Sequence, residues 1–296
     1  MTDAVPLPAL PVTETPPLLD RIVQLENVRV RFGTGDASLL ALDRTSLTVR
    51  PGDFVAMVGP SGCGKSTILK LVAGLLRPTE GNVFVAGREV GAERIGIGMA
   101  FQNPTLLPWL SIRQNIMLPL KIVKPYADTY RRDRETVFRD RAEALLARVG
   151  LAGFGDRKPW ELSGGMLQRA NLCRALIHAP KLLMLDEPFG ALDQFTREEL
   201  WSVLQDLYLE TRPTVFLVTH DLREAAFLAS RILVMSARPG RVVEDRAVDF
   251  ARPRTLETTF ADAFGALTNE LRRLIFQARQ DQAAIAPATA TQETAA

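Results

Sequence analysis

The stretch Gly59 to Thr67, GPSGCGKST, decides how the rest of the chain is read. It fits the GxxxxGK(S/T) phosphate-loop pattern, with Gly59, Gly64, Lys65 and Ser66 at the fixed positions. The apolar run Phe54 to Val58 precedes it and a helical pattern follows, so strand, loop and helix come in the order the pattern requires. Glycines let such a loop curl until successive backbone N–H groups point inward at a phosphate, and the following helix adds about half a positive charge at its N-terminus. Lys65 is placed to reach the β- and γ-phosphates of a nucleotide, and Ser66 to offer its hydroxyl to Mg²⁺. Pro60, Ser61, Gly62, Cys63 and Thr67 complete the nucleotide-binding loop. The competing reading is a glycine-rich turn with an incidental lysine. The flanking strand and helix argue against it.

Composition narrows what surrounds this loop. The 296 residues suffice for one large domain or two, and 47% hydrophobic content is ample for a core. A net charge of +2, from 36 basic and 34 acidic residues, gives no global field that would draw nucleic acid. Cys63 and Cys173 form no CxxC pair, which fits a reducing compartment and excludes a disulfide framework or zinc spacing. Cys63 reads as a small loop filler or as a modifiable thiol within the phosphate loop. No apolar run approaches the roughly 20 residues that span a bilayer, and the N-terminus lacks the basic start and apolar stretch of a secretory signal. The expectation is a chain that does not cross a membrane by itself.

Along the chain, residues 1–20 are rich in proline and read as a disordered tail. IVQLENVRVRF from Ile22 and SLTVRPGDFVAMVG from Ser46 carry strand patterns leading into the loop. Helical spacing runs from Ser66 to Leu76, with Arg77-Pro78 and Glu80-Gly81 as its stop. NVFVAGREV reads as a strand pair, and IGIGMAFQ as a buried strand ending at Gln102. From Asn103 the character changes to a proline-broken loop and then charged helices, with an apolar stripe of Val137, Ala144, Leu145 and Val149. LLMLDE (Leu182 to Glu187) and TVFLVTH (Thr214 to His220) restore an α/β alternation. Phe260, Phe264, Leu267, Leu271 and Leu274 then mark one amphipathic helix, which packs on its own domain or binds a partner.

A phosphate-hydrolysing site needs a carboxylate near the γ-phosphate to hold Mg²⁺, at the end of an apolar strand. LLMLDE supplies it in Asp186. Glu187, one residue on, is placed to take a proton from an attacking water, a role typically worth about 10²- to 10⁴-fold in rate. Between loop and strand lies LSGGM, Leu162 to Met166. Ser163 is a good N-cap for the helix that follows, and Gly164 and Gly165 let backbone N–H groups approach an anion closely. One helix start thus offers a second phosphate site in the same chain, or serves only as a cap.

With Leu162, Ser163, Gly164, Gly165 and Met166 in place, the chain resembles the ABC-type ATPases over roughly Leu25 to Ser236. The resemblance implies an α/β fold: a P-loop NTPase (RecA-like) core with an antiparallel β subdomain and an α-helical subdomain inserted at about 103–166. It implies a nucleotide-binding domain over 21–250; beyond it the helical spacing marks a C-terminal helical extension over 251–280, and the alanine-, threonine- and glutamine-rich composition reads as a disordered tail over 281–296. The signature LSGGM would serve ATP held by a second subunit's loop, in a head-to-tail homodimer. Phe32 matches the aromatic that stacks on adenine, where tyrosine is more usual; Phe keeps the π-face. Gln102 matches the glutamine that contacts Mg²⁺ and the attacking water, and Asp193 the aspartate that communicates across the dimer. His220 matches the histidine that holds the γ-phosphate, and Ser66, Gln102 and Asp186 become the metal set. His178 reads as structural, and Leu167 departs from the polar residue the family often has there.

A separate chain of this kind resembles importer ATPases more than exporters. NPTLLPWLSIRQNIMLPL presents exposed-looking Leu106, Leu107, Trp109 and Leu110, which read as a groove for a partner's short helix or as insertion core. With SARPGRVV it resembles the nitrate, sulfonate and taurine importer subgroup. That resemblance implies two integral-membrane permease subunits, indirectly a substrate-binding protein, no nucleic acid, and a peripheral place on the cytoplasmic face of a bacterial inner membrane. The alternatives are a soluble ABC-type ATPase acting on DNA or ribosomes, and a small-molecule kinase. The first tends to carry tandem cassettes, a coiled coil or a metal module, and the second an acceptor pocket in place of LSGGM and His220.

Overall fold

The computed structural model describes residues 7–10, 20–33, 38–90 and 96–285. Chain order runs β1 (Val23–Phe32), β2 (Leu39–Val49), β3 (Phe54–Val58), α1 (Lys65–Val72), β4 (Glu80–Val85), β5 (Arg88–Glu89) and β6 (Ile97–Ala100). Four helices follow: α2 (Ile112–Met117), α3 (Tyr126–Asp133), α4 (Val137–Arg148) and α5 (Gly164–Leu176). The alternation returns with β7 (Leu182–Asp186), α6 (Gln194–Thr211), β8 (Thr214–Val218), α7 (Leu222–Leu228), β9 (Arg231–Met235) and β10 (Val242–Ala247), and α8 (Asp262–Ile285) follows.

Six strands form the central sheet in the order β10, β9, β3, β8, β7, β6, all parallel except the edge strand β10. A second, antiparallel sheet has the order β2, β1, β4, β5. The middle strands of the first sheet are covered on both faces, which is why they read as unbroken apolar runs. Their alternate residues part company. Phe54, Ala56 and Val58 of β3, with Leu183 and Leu185 of β7, pack into the core shared with the helical insertion and α6 to α8. Val55 and Met57, with Leu182 and Met184, pack with Ile68 and Leu69 of α1 and with Val23, Leu25 and Val85 of the antiparallel sheet. One sheet therefore fixes the helical insertion on one side and the β subdomain on the other, with the ends of β3, β6, β7 and β8 between them.

Local readings shift in three places. Helix α1 stops at Val72, ahead of Arg77-Pro78, because Gly74 takes φ +70°. The amide of Gly74 then donates to Leu71 O at 3.0 Å and that of Leu75 to Lys70 O at 2.9 Å, closing the helix in a left-handed cap. In α4, Val137 is exposed, and the buried aromatic is its neighbour Phe138, which stacks on Tyr130. At the C-terminal end Phe260 is 80% exposed in a short 3-10 turn, and the apolar stripe of α8 begins at Phe264. Helix α8 continues to Ile285, and residues 286–296 lie outside the described residues. Most of the proline-rich start also lies outside them, but Leu7 and Leu10 are partly buried against the larger core. Among the described residues no helix is long and apolar enough to cross a membrane.

Candidate functional site

In an open parallel sheet ligands sit beyond the carboxyl ends of the strands, where loops leave toward helices on opposite faces. Here four neighbouring parallel strands deliver their following residues to one cleft of about 870 Å³. The turn after β3 and the start of α1 carry Gly59 to Ser66, and the loops after β6, β7 and β8 carry Gln102, Glu187 and His220.

The phosphate loop closes tightly on the rest of the chain. Gly64 sits at φ +98°, a conformation that strains any residue with a Cβ, and a Cβ there would come within 2.5 Å of Leu42 Cδ2 and displace it. Lys65 is 8% exposed, and its Nζ donates to the carbonyls of Gly59 at 2.9 Å and Pro60 at 2.8 Å. The ammonium thus lies in the hollow of its own loop. Cys63 is buried with its Sγ 3.6 Å from the same Nζ, which makes it a loop filler rather than an exposed thiol. Ser66 Oγ donates to Asp186 Oδ1 at 3.1 Å, and burial pushes the Asp186 carboxyl above the usual carboxylate range despite that bond.

Glu187 adopts φ +47°, a left-handed conformation costly for a residue with a Cβ. Its amide donates to Val218 O at 2.8 Å, which turns the side chain toward the ends of β6 and β8. There Glu187 Oε2 accepts from Gln102 Nε2 at 3.1 Å and lies 3.3 Å from His220 Nδ1. Phe32, 42% exposed, lines the same cleft.

The signature residues stand elsewhere. Ser163 caps α5 by accepting from the Met166 amide at 3.3 Å, and none of Leu162, Ser163, Gly164, Gly165 and Met166 lines the cleft. Leu167, half-buried, packs against the larger core. Asp193 caps α6 by accepting from the Thr196 amide at 3.1 Å, which holds its carboxyl below the usual range. Arg197 joins that turn to the next, donating to Leu192 O at 3.0 Å and pairing with Asp221, the cap of α7, at 3.0 Å.

Several contributors are not among the site residues the sequence predicts. Gln168 and Asn171 on α5 both donate to Phe101 O, at 3.2 and 3.1 Å, next to Gln102. Gly240, within the SARPGRVV segment, backs onto the phosphate loop so closely that a Cβ there would lie 1.9 Å from Cys63 O. Arg238 donates to Gly62 O at 3.3 Å. Arg272, Phe276 and Arg279 of α8 line the cleft. The helical spacing of α8 exposed only its apolar stripe; the opposite face looked like ordinary solvated surface.

The family model described as ABC transporter matches residues 42–190. The taurine import ATP-binding protein TauB of Rhizobium johnstonii is 43% identical over 244 residues, covering 79% of this chain and 88% of that protein. This chain belongs to the ABC transporter ATPase family. The aliphatic sulfonates import ATP-binding protein SsuB of Bacillus licheniformis is 42% identical over 76% of this chain and 84% of its own length. The nitrate import ATP-binding protein NrtD of Synechococcus elongatus is 42% identical over 78% of this chain and 82% of its own. Among solved structures, the dimeric post-hydrolysis state of the ATP-binding cassette MJ0796, bound to ADP and Pi, superposes with a TM-score of 0.67 at 33% identity. It covers 77% of this chain and is itself covered completely. As an ABC ATPase the chain binds and hydrolyses ATP, on the α/β cassette fold its sequence implies.

Proposed function

We propose that this cassette powers an importer for a small anion such as nitrate, a sulfonate or taurine, through two separate integral-membrane permease subunits served by a substrate-binding protein. The names of its relatives support uptake over an ATPase working on DNA or ribosomes. Its place would be the cytoplasmic face of a bacterial inner membrane. Trp109, 67% exposed, is the centre of the surface offered to the permease. Lys158 donates to Trp109 O at 2.9 Å, beside the segment that carries the equally exposed Trp160. Leu106, Leu107 and Leu110 are only partly exposed, so the docking surface narrows to the tryptophans.

One observation carries the mechanism: the signature helix start lies outside the cleft of its own chain. Two copies arranged head to tail would bring Ser163 and Gly165 of each to the loop of the other, with Asp193 near the shared interface. Phe32 stacks on the base, and the backbone N–H groups of Ser61 to Thr67 cradle the phosphates. Lys65 leaves its loop carbonyls for the β- and γ-phosphates. Ser66 and Asp186, oxygen donors already within hydrogen-bond distance, would hold Mg²⁺ with Gln102, and the metal would neutralise developing phosphate charge. Glu187 accepts the proton of the attacking water, and His220 holds the γ-phosphate.

The test is ATP-dependent association. Glu187→Gln should elute as a dimer with MgATP and as a monomer with ADP, while turning over about 10²- to 10⁴-fold more slowly than the parent. A variant that stays monomeric with MgATP, or hydrolyses it at the parental rate, refutes the assignment.

A further inference from the structure

Helix α8 has two working faces. Phe264, Leu267, Leu271 and Ala278 are buried in the core. Arg272, Ile275, Phe276 and Arg279, at steps of three and four, form the other face and line the cleft that holds the phosphate loop. From Arg272 to Arg279 the helix spans about 10 Å of cleft wall. Arg279 also lines a hollow against Pro60, Ser61, Gly62 and Arg238 at the tip of the loop.

An exposed arginine on a helix is usually solvated surface, paired with an acid one turn away. Neither guanidinium fits that description. No Asp or Glu stands three or four positions from Arg272 or Arg279 on the helix. Among the described residues neither has a hydrogen bond or ion pair, whereas Arg246 on the neighbouring strand pairs with Glu270 of α8 at 3.2 Å. The cleft lining is one-sided in charge: Lys65, Arg238, Arg272 and Arg279 face a single carboxylate, Glu187. Such a concave, cationic site raises the local concentration of a polyanion.

We infer that α8 is a third element of the nucleotide site: Arg272 and Arg279 contact the polyphosphate of ATP held by the phosphate loop of the same chain, from the side the loop leaves open. The inference rests on reading this cleft as the ATP site. Guanidinium groups suit the task because their planar fork matches phosphate oxygens. The helix lies outside the residues matched by the family model.

The experiment measures ATP and adenosine affinity by calorimetry for the full chain, for Arg272→Gln/Arg279→Gln and for Lys65→Ala, with circular dichroism confirming that each is folded. Both arginines lie on the exposed face, away from the core residues of α8. The double variant should bind ATP about tenfold more weakly or worse, the value of one or two charged hydrogen bonds, and adenosine as the parent does. Arg272→Lys/Arg279→Lys, which keeps the charge and loses the fork, should fall between. Parental ATP affinity in the Gln variant, with binding lost in Lys65→Ala, overturns this inference alone and leaves α8 an inert wall. Parental affinity with faster hydrolysis also overturns it, making α8 a barrier to the second copy. If Lys65→Ala still binds ATP normally, the reading of the cleft falls and the inference with it.

Discussion

Glu187 Oε2 lies 3.3 Å from His220 Nδ1 and also accepts the Gln102 Nε2 hydrogen bond at 3.1 Å. One carboxylate oxygen therefore joins the residues delivered by three neighbouring strands, β6, β7 and β8. Groups that hold the same atom do not act independently. His220→Ala and Gln102→Ala should each slow ATP turnover, and the double variant should lose less than the product of the two. The coupling expected in a double-mutant cycle on kcat is about 0.5–3 kcal/mol. Strict additivity would show that the contact has no part in catalysis.

Gln102 is itself steered from the signature helix. Gln168 and Asn171 both donate to Phe101 O, and Arg174 donates to Thr105 O at 2.7 Å, so α5 grips the loop on either side of Gln102. Asn171 is fully buried. Asn171→Leu removes one donor from a partly buried carbonyl and should cost about 1–3 kcal/mol in urea unfolding. It should also slow turnover, and in a Gln102→Ala background that kinetic effect should vanish while the stability loss remains. A kinetic loss of equal size in both backgrounds would rule out action through Gln102.

The fold was legible because its decisive parts are local. Phe54 to Thr67 specifies strand, loop and helix within one stretch, and LLMLDE and TVFLVTH announce their strands through doubly buried apolar runs. The candidate site followed because Gln102, Glu187 and His220 each come immediately after a strand. What escaped depends on distance in space. Gly240 has no local pattern that brings the backbone of Cys63 against it. Arg272 and Arg279 reach the cleft only because α8 is docked beside the loop. The apolar stripe puts Val137 in the core because a helical stripe tolerates a one-residue rotation, and only packing against Tyr126 and Tyr130 selects Phe138.

His178, read as structural, gives the chain a pH dependence. It is 4% exposed, and burial lowers its pKa from 6.5 to about 4. Between those values the unfolded chain binds the proton and the folded chain does not, so stability falls as pH falls through the window. Each unit is worth about 1.4 kcal/mol, giving a loss of about 2 kcal/mol by about pH 5 from this group. His178→Leu should remove that loss. The drop in unfolding free energy from neutral pH to about pH 5, read from urea melts, should be smaller in the variant than in the parent by that amount. Identical acid dependence would show that His178 is not the group responsible.

Arg254 carries the largest predicted stability effect. It is 3% exposed, and its Nη1 donates to the carbonyls of Ala226, Phe227 and Ala229 at 3.0, 2.9 and 2.8 Å. Its Nη2 reaches Val248 O at 3.3 Å and Phe250 O at 3.1 Å. These acceptors include the end of α7, where the last turn leaves carbonyls without helical partners and the helix dipole favours a cation. Burial lowers the Arg254 pKa to about 10, so the group remains charged at neutral pH. The same side chain holds the segment after β10 from which α8 departs, and so sets where Arg272 and Arg279 lie. Arg254→Met fills similar space and leaves several buried carbonyls unpaired, which should cost about 3–5 kcal/mol in urea unfolding. Arg254→Lys restores the charge without the fork and should recover less than half of that loss. By contrast, Arg132→Ala removes a solvent-screened surface pair with Asp133 and should leave the urea midpoint unchanged. If Arg254→Met unfolds at the parental midpoint, the carbonyl cluster is not what holds α7 to the segment leading into α8.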